Sequence, residues 1–285
     1  MVHILCTNPN DYFKWQISLY QHFYKLIYGN YENNLILIGH KNRFEEPYYE
    51  TFEEIGWDFL KMDYKMVDSF EMPPENDEYS SEHLLSLNVF YHIKSIIHEL
   101  EDDEVYFIYD CDMTPIRKYK GILPTNDTVV CYDLYENWHL KIQNPWKENF
   151  SKISDYITHD RFKYMNGGFV PIIITGKNLK LILDDVIDIS ISIIKDCGFD
   201  NFGWWGTMAG FQVACHNHEL KCVSEDNTYI PRMTQLDYKT MFSHYSIAPN
   251  MYKGNPESWE IDNFKNDFFY NEVKNWYKTE WPKIK

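Results

Sequence analysis

The spacing of apolar and polar residues changes several times along the chain, and each change marks an element. Residues 2–7, Val-His-Ile-Leu-Cys-Thr, form a short apolar run closed by the turn formers Asn8, Pro9, Asn10 and Asp11. That pattern predicts a buried strand. Phe13, Ile17, Tyr20 and Tyr24 then recur at helical spacing, so residues 12–28 read as a helix capped by Asp11 and ended by Gly29 and Asn30. Residues 35–39 form a second short apolar strand. A β-α-β opening starts a parallel sheet with crossover helices.

The rest of the chain extends that pattern. Residues 57–63 suggest a third strand or edge segment, and residues 72–81, with Pro73, Pro74 and several acids, an exposed loop. Residues 83–100 carry Leu84, Leu87, Phe90, Ile93, Ile96 and Ile97 at helical spacing. After a solvated turn at 101–104 comes Val105-Tyr106-Phe107-Ile108-Tyr109, a β-rich run that stops abruptly at Asp110-Cys111-Asp112. Strands follow over 128–132 and 170–175, the latter entered through Gly167 and Gly168. Helices follow over 177–195 and 204–216, and Val223 and Tyr229-Ile230 are short strand candidates. The stretch after His244 is polar and aromatic with little periodicity, and reads as a C-terminal wrap. With no repeat or linker, residues 1–285 are expected to form one α/β domain, with a mixed, mostly parallel sheet flanked by helices.

Composition narrows the function classes. The 285 residues include 43 acids and 27 Lys or Arg, a net charge of −16, which disfavours long-range attraction to DNA or an anionic membrane. Aromatic residues reach 18%, which suits dense packing and also stacking on bases or sugar rings. No signal-peptide pattern precedes the first strand, and no apolar run approaches the roughly 18 residues of a transmembrane segment. The six cysteines, at 6, 111, 131, 197, 215 and 222, are therefore expected as free thiols in a reducing cytoplasm. Cys215, His216, His218 and Cys222 are zinc-type ligands, but no C-x2-C pair accompanies them, and a helix end with core cysteines is the better reading.

The chemistry concentrates at Asp110-Cys111-Asp112. Ligands of open α/β sheets bind at the carboxyl ends of the strands. In strict strand geometry residues i and i+2 share a face, so both acids would point at one site. Two close carboxylates repel unless a cation sits between them, and Mg²⁺ or Mn²⁺ takes such hard oxygen ligands. A fixed cation of this kind neutralises charge on a departing diphosphate. One turn rarely fills an octahedral shell, and His244 is the downstream candidate for a third ligand. Asn166, Gly167 and Gly168 would let backbone and an amide approach a sugar, although an ordinary tight turn has the same pattern. Trp204 and Trp205 suit a sugar platform or core packing equally, and Lys253-Gly254 would supply a cation to the diphosphate.

This order of parts resembles the GT-A (Rossmann-like) glycosyltransferases. The finer match resembles the hydroxyproline O-arabinosyltransferase and peptidyl-serine galactosyltransferase group. It rests on Tyr12-Phe13-Lys14-Trp15-Gln16, Tyr109-Asp110-Cys111-Asp112, His244-Tyr245, Lys253-Gly254 and Trp259-Glu260-Ile261-Asp262, which together span nearly the whole chain. The resemblance implies a nucleotide-binding half over 1–112, then an acceptor half and a C-terminal metal and diphosphate segment over 113–285. It implies a UDP-sugar donor, Mn²⁺ or Mg²⁺, and a retaining transfer of a pentose or hexose to an acceptor hydroxyl. Asp110 would face ribose and metal, Asp112 and His244 would bind the metal, and Asp110, Asp112 and Asn166 would form the catalytic set. Thr7 and Asn8 would cup the uracil, Lys253, Gly254 and Trp259 would lie near the diphosphate, and Gly167 and Gly168 near the donor sugar. Trp204, Trp205 and Thr207 would meet the acceptor. The chain departs from the group at Thr207, where an acidic residue is usual, and lacks the secretory anchor of plant-like members. A cytoplasmic acceptor in a microbial or viral setting suits its Asn-, Lys-, Ile- and Tyr-rich composition.

Two other readings stand beside this one. A viral-type DNA glycosyltransferase would modify a hydroxymethylated base, with Arg117, Lys118, Lys120, Lys141 and Lys147 as a basic rim, against the adverse net charge. A non-catalytic nucleotide-sugar-binding protein would keep the donor site and lack turnover.

Overall fold

The short apolar runs and the helical spacings become strands and helices in the computed structural model. It describes residues 1–7, 9–31, 34–41, 49–68, 85–135, 152–158, 167–197, 199–223, 242–244, 255–264 and 267–285; the side chains of 85–88, 132–135, 167–170, 199–205 and 242–244 are not described. In chain order the main elements are β1 (Val2–Thr7), α1 (Asp11–Tyr28), β2 (Leu35–Lys41), β3 (Asp63–Asp68), α2 (Leu85–Ile96), β4 (Val105–Tyr109), β5 (Met113–Pro115) and β6 (Thr128–Tyr135). They continue with β7 (Gly167–Thr175), α3 (Gly176–Cys197), α4 (Phe199–Asn217), β8 (Lys221–Val223), β9 (Phe242–His244), α5 (Phe268–Thr279) and α6 (Trp281–Ile284). Seven strands form a mixed sheet in the order β3-β2-β1-β4-β7-β6-β8, and β5 and β9 form a separate ribbon. This is the expected α/β class. Among the described residues no helix is long and apolar enough to cross a membrane.

The chain divides into two compact units, neither contiguous in sequence. One comprises Val2–Ser69, Tyr109–Gly121 and Glu225–Lys285. Its strands β1, β2 and β3 are parallel, in registers that pair Thr7 with Gly39 and Gly39 with Met66. Helix α1 starts where the Asn10 side chain accepts from Phe13 N–H at 3.2 Å, so Asn10 rather than Asp11 is the cap: its extended backbone leaves the side-chain oxygen free to reach the first turn. The helix ends at Gly29, whose φ of 90° suits a residue without Cβ.

Helix α1 buries two stripes. Trp15, Leu19 and Phe23 pack in one apolar cluster with Ile116, Trp259, Phe264, Phe269, Val273, Trp276, Trp281 and Ile284. Tyr20 and Tyr24 stack at 6.1 Å on the other stripe. The polar, aromatic tail expected to wrap irregularly is therefore helical at α5 and α6. Asp267 caps α5 through Tyr270 N–H at 2.9 Å, and the Trp276 indole donates to Ser18 Oγ on α1 at 3.0 Å. Its buried residues Phe269, Tyr270, Val273 and Trp276 recur at helical spacing, within a segment that is polar on the whole. The third strand also differs from expectation. It runs over 63–68, because Trp57 is buried and stacks on Phe52 at 5.0 Å instead of entering the sheet.

The second unit comprises Met1, Phe70–Ile108 and Ile122–Ser224. Here β7 pairs antiparallel with both β4 and β6, and β8 pairs parallel with β6. Helices α3 and α4 approach closely at Gly206 and Gly210; a Cβ at Gly210 would strike both side chain and backbone of Ser190. The expected loop over 72–81 and the strand candidate Tyr229-Ile230 lie outside the described residues.

Replacing Trp276 by Ala removes the residue that joins α5 to α1. The expected loss is about 3–5 kcal/mol, because a large cavity replaces a fully buried ring. Urea unfolding followed by circular dichroism checks it, and a loss below about 1 kcal/mol would mean that the C-terminal helices are not integral to this core.

Candidate active site

Strand β4 is buried from Tyr106 to Tyr109 and stops at Asp110. The backbone does not stay extended through the acids. Met113 N–H donates to the Asp110 carbonyl at 3.1 Å, closing a turn with Cys111 and Asp112 at its centre. The strict strand geometry expected from the sequence is thus replaced by a turn. Asp110 and Asp112 are partly exposed, whereas Cys111 between them is buried.

The buried cysteine anchors this turn. Its thiol donates to the carbonyl of Cys6 on β1 at 2.9 Å, and Thr7, 3% exposed, hydrogen-bonds to it as well. Burial is the main force pushing the Cys111 thiol far up, and the charges of Asp110 and Asp112 add to it. Cys6 is raised by burial first, then by Cys111 and Asp110. Both therefore stay protonated at neutral pH, so Cys111 remains a donor.

Immediately after the turn, β5 pairs antiparallel with β9: Met113 opposes His244, Thr114 opposes Ser243 and Pro115 opposes Phe242. Directly opposed residues lie about 4.5–5.5 Å apart at Cα. The late histidine singled out from sequence is thereby brought opposite the residue that follows Asp112. Thr7, Asp110, Asp112 and His244 all belong to the same unit. The turn chemistry was legible in Asp110-Cys111-Asp112, but a three-residue ribbon is too short to show in any periodicity.

Beneath the turn is a polar-aromatic core that sequence reasoning missed. His3 stacks on Tyr109 at 5.3 Å, and its Nδ1 lies 3.2 Å from Tyr20 Oη. Burial pushes the His3 pKa down to about 3. His40 on β2 is buried too, its pKa lowered to about 4 by burial, with a hydrogen bond to the Thr7 backbone pulling the other way. The sequence placed His3 on a strand and ended the second strand before His40, and nothing in it showed either histidine neutral and packed.

Other expected site residues lie elsewhere. Trp259 is 7% exposed and packs edge-on against Trp15 at 5.0 Å; among the described residues its indole N–H finds no acceptor. It also lines a surface cavity of about 530 Å³ with Glu260, Asp262 and Tyr277, and neither Asp110 nor Asp112 lines that cavity. Gly167 and Gly168 open β7 in the second unit, with Gly167 opposite Tyr135. Trp204, Trp205 and Thr207 lie on α4, where Thr207 is buried. Asn8, Asn166, Lys253 and Gly254 lie outside the described residues, as do Lys141 and Lys147 of the basic rim. The zinc-type cluster does not assemble: His218 Nε2 meets Asp185 at 2.6 Å, and among the described residues no group of three ligands is placed to hold a metal.

No protein-family model and no curated protein matches the chain. Solved structures do. The galactosyltransferase LgtC in complex with donor and acceptor sugar analogues matches at 9% identity over 100% of both chains, TM-score 0.54. The WbbM bifunctional glycosyltransferase matches at 10% identity over 99% of this chain, TM-score 0.52, and GlyE of Streptococcus pneumoniae TIGR4 at 10% over 99%, TM-score 0.51. The chain spans 50% of WbbM and 61% of GlyE. At these identities the likeness shows the fold: the chain has the GT-A-type fold of these glycosyltransferases.

The buried histidines give a pH signature. Unfolded, each takes up a proton near pH 6.5; folded, only near pH 3 for His3 and near pH 4 for His40. The unfolded chain binds more protons between those limits, so stability falls as the pH drops below about 6.5, by at most about 1.4 kcal/mol per pH unit for each histidine. His3→Gln removes one share and should flatten the fall in urea midpoint between pH 6.5 and 4.5. Parallel curves for variant and parent would show that His3 titrates freely in the folded protein.

Proposed function

We propose that the chain is a metal-dependent glycosyltransferase that moves a pentose or hexose from a UDP-sugar to a hydroxyl of a glycan or polypeptide, with retention of anomeric configuration. The observation that carries this reading is the pairing of Met113 with His244, which sets a distant histidine beside the turn of two acids. The shared fold with LgtC supports it, since LgtC is seen with donor and acceptor sugar analogues. The sequence resemblance to the arabinosyl- and galactosyltransferase group supports the UDP-linked donor and the retaining outcome.

The residues fit a divalent cation. Two carboxylates and an imidazole make a hard, mostly oxygen donor set, which suits Mn²⁺ or Mg²⁺. Asp110, Asp112 and His244 would hold the ion. When bound, it supplies a fixed positive charge against the diphosphate that leaves the sugar. The chain's own groups do the rest. The Cys111 thiol, held by the Cys6 carbonyl, fixes the turn, and both acids keep access to solvent. By the resemblance, Thr7 and Asn8 would cup the uracil of the donor, and Lys253 and Gly254 would lie near the diphosphate. The net charge of −16 favours a glycan or polypeptide acceptor over DNA.

Nucleotide release from a panel of UDP- and GDP-sugars, with Mn²⁺ or Mg²⁺ added and then chelated, tests this reading. The expected result is metal-dependent UDP release, lowered about 100-fold or more by Asp112→Ala with circular dichroism unchanged. Asp110→Asn and His244→Ala should weaken donor binding about tenfold or more. If no nucleotide sugar binds or turns over with any divalent ion, or if both variants keep full donor affinity, the assignment fails.

A further inference from the structure

The unit that holds the acid turn has a cavity of its own near the C-terminus, lined by neither acid of the turn. Its volume is about 530 Å³, and its two walls are residues 259–263 and the end of α5. Pockets for small ligands run to about 300–1,000 Å³, so the space suits a sugar-sized guest.

The first wall is fixed at both ends. Trp259 and Phe264 are buried in the α1 cluster, and the four residues between them bridge these anchors. Ile261 N–H donates to the Trp259 carbonyl at 3.0 Å, Asn263 N–H to the Glu260 carbonyl at 2.9 Å, and Phe264 N–H to the Ile261 carbonyl at 3.1 Å. The Lys274 ammonium donates to the Phe264 carbonyl at 3.2 Å and so ties the segment to α5, the second wall. Glu260, Asp262 and Asn263 are left exposed on this anchored backbone.

The lining is aromatic on one side and polar on the other. Trp259, 7% exposed, and the partly buried Tyr277 supply ring surface. Glu260, Asp262, Asn263 and Lys278 supply the polar groups. Asn263 Nδ2 donates to Glu260 Oε2 at 2.7 Å, which sets both side chains. Among the described residues the Asp262 carboxylate, the Lys278 ammonium and the Tyr277 hydroxyl meet no hydrogen-bond or ion-pair partner.

Charge narrows the guest. Two carboxylates against one ammonium oppose an anion, including the diphosphate that the resemblance sets near Trp259. An amine guest carries donors only and would leave Lys278 without an acceptor. Among the described residues no three ligands are grouped to hold a metal. Hydroxyls both donate and accept, so they serve the carboxylates, the amide and the ammonium at once. Ring surface beside those groups matches the apolar C–H face of a sugar.

We propose that this cavity is a saccharide-binding site for one neutral sugar ring, set against Tyr277 and Trp259 and held at its hydroxyls by Glu260, Asp262, Asn263 and Lys278. The binding rests on the cavity alone. Its use, to grip a sugar unit of the acceptor glycan away from the reacting hydroxyl, rests on the transferase reading.

The test is titration of the full chain, followed by saturation-transfer NMR, with methyl glycosides of glucose, galactose, mannose and xylose. EDTA is present and nucleotide sugar is absent. At least one glycoside should bind, and Tyr277→Ala and Glu260→Ala should each weaken it about fivefold or more, through lost ring surface and a lost charge-assisted hydrogen bond. Asp112→Ala should leave that affinity unchanged. Tyr277 packs on the tryptophan cluster, whereas Glu260 is exposed, so Glu260→Ala reads the site without disturbing that cluster. Binding of none of the four glycosides, equal affinity in Glu260→Ala, weaker binding in Asp112→Ala, or tighter binding of pyrophosphate or glucosamine would overturn the proposal. With no donor and no divalent ion present, the outcome is independent of the transferase reading.

Discussion

A single buried sulfur holds the acid turn in place. Two carboxylates separated by one residue repel each other, and a turn carrying them gains little from its own backbone bond. Cys111 counters this by leaving solvent and donating to the Cys6 carbonyl. Because burial and both acids keep the thiol protonated, it donates without adding a third negative charge. The turn is thereby fastened to the end of β1, and the next three residues are left extended to receive β9. A serine there would be a stronger donor of similar size, but its hydroxyl would cost more to bury if the geometry slipped.

The platform below the turn works by the same logic of neutral polar groups. His3, stacked on Tyr109 and in contact with Tyr20, brings no charge into the space under the acids. Tyr20, Tyr24 and Tyr28 are all held above the usual phenol range by burial, so this layer is uncharged at neutral pH. Helix α1 carries that layer on one stripe and the tryptophan-rich C-terminal cluster on the other. Trp15, Tyr20, Phe23 and Tyr24 of this helix thus serve packing, one of the two uses that composition left open for the aromatic residues.

The sequence was informative where a signal is local. Apolar runs and periodicity found β1, α1, β2, β4 and both long helices near their observed bounds, because the strands are buried along nearly their whole length and the helices carry buried residues at helical spacing. They failed where partners are remote. Helix α5 was passed over because its few buried residues sit in a polar segment and their partners lie on distant α1, and β5 and β9 are too short to have a pattern without each other. At the site, Asp110 and Asp112 were legible as a pair, but their turn geometry depends on Cys111 burying itself.

The division of the chain has a bearing on how the protein is made. The α1 cluster needs residues 259–284, which leave the ribosome after β6 through β8 and both long helices. Trp15, Leu19 and Phe23 therefore stay without their C-terminal partners until those residues emerge. During synthesis that bare helix face is where chaperones would bind, and a ribosome stalled near residue 250 would leave one half finished and the other sticky.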